Sequence, residues 1–148
     1  MTGMSGTGKS TALGELALRG FRVVDTDEPG WKELRDGEWV WREDRIGELL
    51  AVDGERTLYV SGCVANQGRF YDSFDAVVLL SAPVNVILSR IATRTTNDFG
   101  RSLGERAQIL ADLESTEPRL RATCTHEIDA TRPVDDVVEA LVAIGQSG

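Results

Sequence analysis

Cysteine, histidine and positive charge are all scarce in this chain of 148 residues. Its two cysteines, Cys63 and Cys124, lie far apart without metal-type spacing. That excludes a disulfide framework and a zinc site, and reads as free thiols in a reducing cytoplasm. The one histidine, His126, stands alone near the end of the chain and reads as structural. Lys and Arg number 16 against 24 Asp and Glu, a net charge of −8, which argues against nucleic acid or an anionic membrane as partner. No apolar run approaches the length of a membrane span, and no signal peptide precedes the first motif. Internal repeats and low-complexity linkers are absent as well. The length suits one domain, 1–148, with a real core.

What is present starts at residue 3. Gly3-Met4-Ser5-Gly6-Thr7-Gly8-Lys9-Ser10 fits the phosphate-binding loop G-x-x-x-x-G-K-[ST]. Glycines at 3, 6 and 8 allow positive φ and bring backbone N–H groups, those of Ser5 and Thr7 included, close to phosphate oxygens. Lys9 supplies a cation for the β- and γ-phosphates, and the Ser10 hydroxyl is placed to ligate Mg²⁺. Thr11 opens a stretch with Leu13, Leu16 and Ala17 at helical spacing, and Gly20 closes it. The phosphates therefore sit on a helix N-terminus, where unpaired N–H groups and the dipole favour anions. The pattern calls for ATP with Mg²⁺, although it does not separate ATP from GTP.

The rest of the chain alternates strand and helix patterns. Phe21–Asp25, Thr57–Ser61, Ala76–Leu80 and Glu127–Asp129 read as strands, the third of them apolar throughout, as in a parallel sheet covered on both faces. Asp44–Ala51, a helix opened by Pro83, Leu103–Glu114 up to a break at Pro118, and a last helix capped by Thr131 and opened by Pro133 complete the pattern. Two acidic–aromatic turns fill the stretch before Asp44. The expected fold is a three-layer α/β P-loop NTPase with a parallel sheet between helices. Its central strand, which normally feeds the loop, is reduced to Met1 and Thr2, and four to six apolar residues are expected upstream.

Several motifs resemble a known group, the small P-loop kinases related to shikimate kinase and to nucleoside-monophosphate kinases. The resemblance rests on Gly3–Thr11, then Asp25-Thr26-Asp27, and runs over nearly the whole chain. Gly37-Glu38-x-x-Trp41-Arg42 is similar to the segment whose arginine holds the acceptor carboxylate in shikimate kinases. Ser61-Gly62-Cys63 falls where they have a glycine-rich acceptor loop, and Arg90, Arg94 and Arg101 flank or occupy the lid position. Thr116-Glu117-Pro118 looks more like nucleoside-monophosphate kinases. The resemblance implies phosphoryl transfer from Mg-ATP to a small-molecule acceptor, an acceptor segment near 28–52 and a lid near 94–102. Two departures put shikimate itself in doubt: one glycine stands where shikimate kinases have three, and Thr116 replaces a second acceptor arginine. Arg119 and Arg121 lie nearby, on the other side of Pro118.

Residue types assign the expected roles. Asp25, at a strand end facing the loop, is the better partner for Mg²⁺ beside Ser10, either directly or through groups bound to the ion. Asp27 either accepts the proton of an acceptor hydroxyl or caps the turn before Pro29. Arg94 and Arg101 suit a lid that closes over ATP and excludes water, with Arg90 as its base. The adenine pocket is expected around Arg90 and Thr131–Pro133. Trp31 and Trp41, with Trp39 between them, form an aromatic wall beside Arg42 and Gly62, or else pack in the core. Asn66 and Gln67 either read the acceptor or satisfy loop backbone. Cys63 lies close to the expected site but has no His or neighbouring cation to activate it, and it is not read as a nucleophile. A kinase explains Lys9, Ser10, Asp25, Asp27 and the lid arginines together. A nucleotide-binding switch, or pseudo-kinase without an acceptor, needs only the first half of that set. Monomer and homodimer both remain open.

Overall fold

The computed structural model describes residues 1–4, 6–52, 54, 57–93 and 103–146. Its elements in order are α1 (Lys9–Leu18), β1 (Arg22–Asp25), β2 (Lys32–Arg35), β3 (Glu38–Trp41), α2 (Glu43–Ala51), β4 (Leu58–Ser61), a 3-10 helix (Gln67–Ser73), β5 (Val78–Ser81), α3 (Val84–Ala92), α4 (Leu103–Ser115), α5 (Glu117–Thr123), β6 (His126–Asp129) and α6 (Val134–Gln146).

The sheet is stitched together at its centre by two residues. β1 runs parallel to β4, and β5 runs parallel to β6. Between the pairs, the Met1 α-amino group donates to Val60 O at 2.7 Å and Gly62 N–H donates to Met1 O at 3.2 Å. On the other side, Thr2 N–H donates to Val78 O at 2.8 Å and Leu80 N–H donates to Thr2 O at 2.9 Å. The order is thus β1, β4, Met1–Thr2, β5, β6, all parallel, with a two-residue central member. Beside Met1 the slot opens into a cavity of about 400 Å³ lined by Leu58, Val60, Ala76, Val78 and Leu141 among others. The Met1 amine is buried, and that burial, with the charge of Lys9 adding to it, lowers its pKa from the ordinary 8.0 to about 5.

Alternation along the strands builds the layers. Val78 and Leu80 of β5 pack with Ala12, Leu13 and Leu16 of α1 and Val138 and Leu141 of α6. Leu79 between them faces the opposite way, against Ile87 and Ile91 of α3, Ile109 of α4 and Leu120 of α5. A third cluster joins Val60 of β4 to Trp41 and Ile46, with Phe70 and Phe74 packed against it. α1 ends as expected at Gly20, whose N–H donates to Ala17 O while Phe21 N–H donates to Leu16 O, a Schellman pair.

Three local expectations need correction. Residues 32–41 form an antiparallel hairpin, with Asp36 at φ 54 and Gly37 at φ 80 in its turn, instead of two loose turns. The Asp-Gly pair between two half-apolar runs was the available signal, because both residues accept the positive φ that such a turn needs. Pro118 does more than end a helix: it sits in the first turn of α5, where its missing N–H costs nothing. Thr131 does not cap α6, since its N–H and hydroxyl both donate to Asp129 Oδ1, at 2.9 and 2.6 Å.

Candidate active site

The phosphate loop is positioned by close packing on β5 and α3. A Cβ on Gly3 would collide with Leu80 O, and one on Gly6 would meet Ile87 O at 3.0 Å. Thr7 braces the loop from inside, its buried hydroxyl donating to Met4 O at 2.8 Å. Gly8, at φ 88, turns the chain into α1. Lys9 Nζ donates to the loop's own carbonyls, Gly3 O at 2.5 Å and Met4 O at 3.2 Å. A cation curled over a ring of backbone groups at a helix start fits a polyphosphate.

Asp25 ends β1 beside this loop. Its Oδ2 accepts from Ser10 Oγ at 3.4 Å, and its Oδ1 accepts from Asp27 N–H at 2.9 Å. Thr26 between the two aspartates points inward and is fully buried. Its hydroxyl donates to Ser61 O at 2.7 Å and accepts from Trp41 Nε1 at 2.9 Å. β1 ends at Asp25, and Thr26 and Asp27 form the turn that follows, closed by Glu28 N–H on Asp25 O at 3.1 Å and leaving Asp27 exposed to solvent. Lys32 Nζ pairs with Asp27 Oδ1 at 3.0 Å. The turn is held by the side chain of Asp25, not by that of Asp27.

Gly62 follows β4 where any side chain would strike the Thr26 hydroxyl and the Trp41 indole. Trp41 itself is buried at 4 % exposure, against Phe70 and Phe74. Asn66 brackets its backbone, with Oδ1 accepting from Trp41 N–H at 2.8 Å and Nδ2 donating to Trp41 O at 3.0 Å. Gln67 accepts from Val64 N–H at 2.8 Å and donates to Thr2 Oγ1 and Tyr71 Oη. Both amides therefore serve structure. Trp31 lies under the Arg45 guanidinium, 4.9 Å from ring centroid, and lines a cavity of about 350 Å³ with Ser10, Asp25 and Glu28. Arg42 donates its N–H to Trp31 O at 2.8 Å, while its side chain reaches Asp44 at 3.4 Å.

On the far side of the loop, Arg90 donates to Ala130 O at 2.6 Å and to Gly6 O at 3.4 Å. It lines a cavity of about 310 Å³ with Gly6, Gly8, Thr11 and Arg132. Arg121 is committed elsewhere, to Glu117 at 2.7 Å and Glu127 at 3.0 Å. Its hydrogen bonds, with a further one from Ser81, hold the Glu127 carboxyl below the usual range. Asp129 is likewise lowered, chiefly by the Thr131 hydroxyl. Ser5, Arg94 and Arg101 lie outside the described residues. No group of three or more His, Cys, Asp or Glu able to hold a metal occurs among the described residues. The feature that sequence reasoning passed over is Lys32, hidden because its partner Asp27 is reached through the hairpin.

A parallel sheet between helices, with the phosphate loop packed at its centre, defines the class: a small P-loop kinase fold. Solved structures agree in fold. A gluconokinase from Sinorhizobium meliloti 1021 superposes with a TM-score of 0.66 at 21 % identity, covering 99 % of this chain and 89 % of that one. A shikimate kinase from Acinetobacter baumannii in complex with shikimate gives 0.70 at 20 % identity, over 99 % and 90 %. No family model matches the chain. In sequence, shikimate kinase 2 of Yersinia enterocolitica (serotype O:8 / biotype 1B) is 30 % identical, over 97 % of this chain and 92 % of its own. Shikimate kinase 2 of Sodalis glossinidius is 27 % identical, over 96 % and 91 %. The chain belongs to the shikimate kinase family, and it is an enzyme that transfers a phosphoryl group from ATP to a small-molecule acceptor.

Proposed function

We propose that this protein is a cytoplasmic, single-domain kinase of a small hydroxylated acid, with Asp27 on the acceptor hydroxyl. The observation that supports the reading is Asp25, which accepts from Ser10 Oγ at 3.4 Å and from the backbone N–H of Asp27 at 2.9 Å, so that the Asp27 carboxylate stands two residues beyond the loop's partner. Mg-ATP, when bound, supplies the phosphoryl group and a divalent charge. Gly3, Ser5, Gly6, Thr7, Gly8 and Thr11 offer backbone and hydroxyl contacts to its phosphates, and Ser10 with Asp25 holds the ion. Lys9 leaves the carbonyls of Gly3 and Met4 for phosphate oxygens and neutralises charge as it develops. Asp27 orients the acceptor hydroxyl and takes its proton. Trp31 and Arg42, within the acceptor segment at 28–52 and backed by Trp41 and Gly62, hold the acceptor. Arg94 and Arg101 in the lid at 94–102 shield the site from water, and Arg90 with Arg132 borders the base.

Shikimate is a test acceptor and not the favoured one. Thr116 stands at the start of α5 in place of a second acceptor arginine, and Arg121 is tied to two glutamates. ADP release is measured with nucleoside monophosphates, shikimate, gluconate and other hydroxy acids. At least one hydroxy acid is expected to raise turnover. Lys9→Ala should then lower it by about 10²–10³-fold and weaken ATP binding, while Asp27→Asn lowers turnover with ATP affinity kept. A flat panel alongside tight ATP binding overturns the acceptor reading in favour of a nucleotide-binding switch.

A further inference from the structure

The β2–β3 hairpin carries groups that the phosphate chemistry leaves unused, and they share one face. Directly paired residues, and residues two apart on a strand, project to the same side. The pairs Lys32↔Trp41 and Leu34↔Trp39 therefore place all four side chains together. Trp41 packs inward, whereas Leu34 is 62 % and Trp39 53 % exposed. Lys32 links this apolar pair to the reacting end of the site: its ammonium lies 5.0 Å from the Trp39 ring centroid and 3.0 Å from Asp27 Oδ1. The hairpin is held in place by Ala65 N–H on Trp39 O at 3.0 Å and by the Asn66 bracket on Trp41. The exposed ring is thus presented on a fixed backbone.

Two features of this arrangement call for a ligand. Lys32 occupies Asp27, the carboxylate that has to receive a hydroxyl. An indole and a leucine stand opposite each other in water, and the Lys32 ammonium of that ion pair lies over the indole ring. One chemistry answers both. We propose that Lys32, Leu34 and Trp39 form an acceptor subsite for a hydroxy acid that carries an aryl or hydrocarbon group. The acceptor carboxylate takes Lys32 away from Asp27, which frees Asp27 for the hydroxyl, and the apolar part lies on Trp39 and Leu34. The subsite rests on the acceptor reading given above, and it adds the substrate's second half: an anion with an apolar body, in place of a fully hydroxylated ring or chain.

The test uses the full chain with a non-hydrolysable ATP analogue and Mg²⁺, and three probes: 3-phenyllactate, D-gluconate and the neutral 3-phenylpropane-1,2-diol. Calorimetry reads binding, and ADP release with Mg-ATP reads transfer. Phenyllactate is expected to bind at least about 10-fold tighter than gluconate, the scale of a modest apolar contact. Trp39→Ala and, separately, Leu34→Ser should collapse that preference. Lys32→Gln should collapse the preference of phenyllactate over the diol, with Lys32→Arg restoring part of it. Melting temperatures confirm that each variant is folded. The subsite is overturned if phenyllactate binds no tighter than gluconate, or if the preference survives in Trp39→Ala and Leu34→Ser. It is also overturned if those variants turn a dimer into a monomer with the preference intact, which would make the face a contact between copies. Tight phenyllactate binding without any ADP release supports the subsite and sinks the kinase-acceptor reading. Transfer to gluconate with no effect at Trp39 does the reverse.

Discussion

The two halves of the sheet are built by different kinds of contact. The phosphate loop is a local object: eight consecutive residues and a helix that follows at once, with its glycines packed on Leu80 and Ile87 of the β5–β6 side. On the β1–β4 side, the elements proposed for the acceptor are assembled from pieces far apart in the chain. Trp41 is fixed by Thr26 and Asn66, and Asp27 is met by Lys32 across the hairpin. Between the halves sit only Met1 and Thr2, four backbone hydrogen bonds wide. The loop is thus embedded in backbone geometry, whereas the acceptor side proposed above depends on side chains that a single substitution can remove.

The largest expected effect breaks the acceptor half. Trp41→Ala removes a buried indole and leaves the Thr26 hydroxyl without its donor, a loss of about 3–5 kcal/mol in denaturant unfolding. If the folded fraction binds ATP as tightly as wild type, the halves are energetically separable, and an equal loss of ATP affinity would join them.

Asn66→Ala comes next, at about 1–3 kcal/mol, because it strands both backbone groups of Trp41. The comparison is sharpened by kinetics: acceptor KM should rise while ATP KM holds. The smallest effect belongs to Arg121→Ala. Its pairs with Glu117 and Glu127 are exposed, so the change in stability should stay below about 1 kcal/mol. An acceptor KM that moves with this variant would show that Arg121 serves the site after all.

Much of the fold was legible because its signals are local. Apolar runs at 57–61 and 76–80 announced strands, although the second is shifted to Val78–Ser81. Gly20 announced the end of α1. The misread hairpin shows the limit. Asp36 and Gly37 carried the turn signal, but charged and exposed residues along 32–38 weakened the strand pattern. Asn66 and Gln67 had two equal readings in sequence, and only the packing of Trp41 and Thr2 chose between them.

The amino-acid sequence by itself determined the phosphate loop, its helix and the pair of aspartates after β1. Each follows from short-range geometry: positive φ at glycine, a hydroxyl and an ammonium at fixed spacing, and two carboxylates two residues apart where β1 gives way to a turn. Only the tertiary structure decided that Thr26 turns inward, that Lys32 meets Asp27 and Trp39, and that two residues close the centre of the sheet. Those contacts join positions as far apart as Met1 and Val60. Their choice depends on which surfaces pack and which register buries them, and no local propensity encodes that.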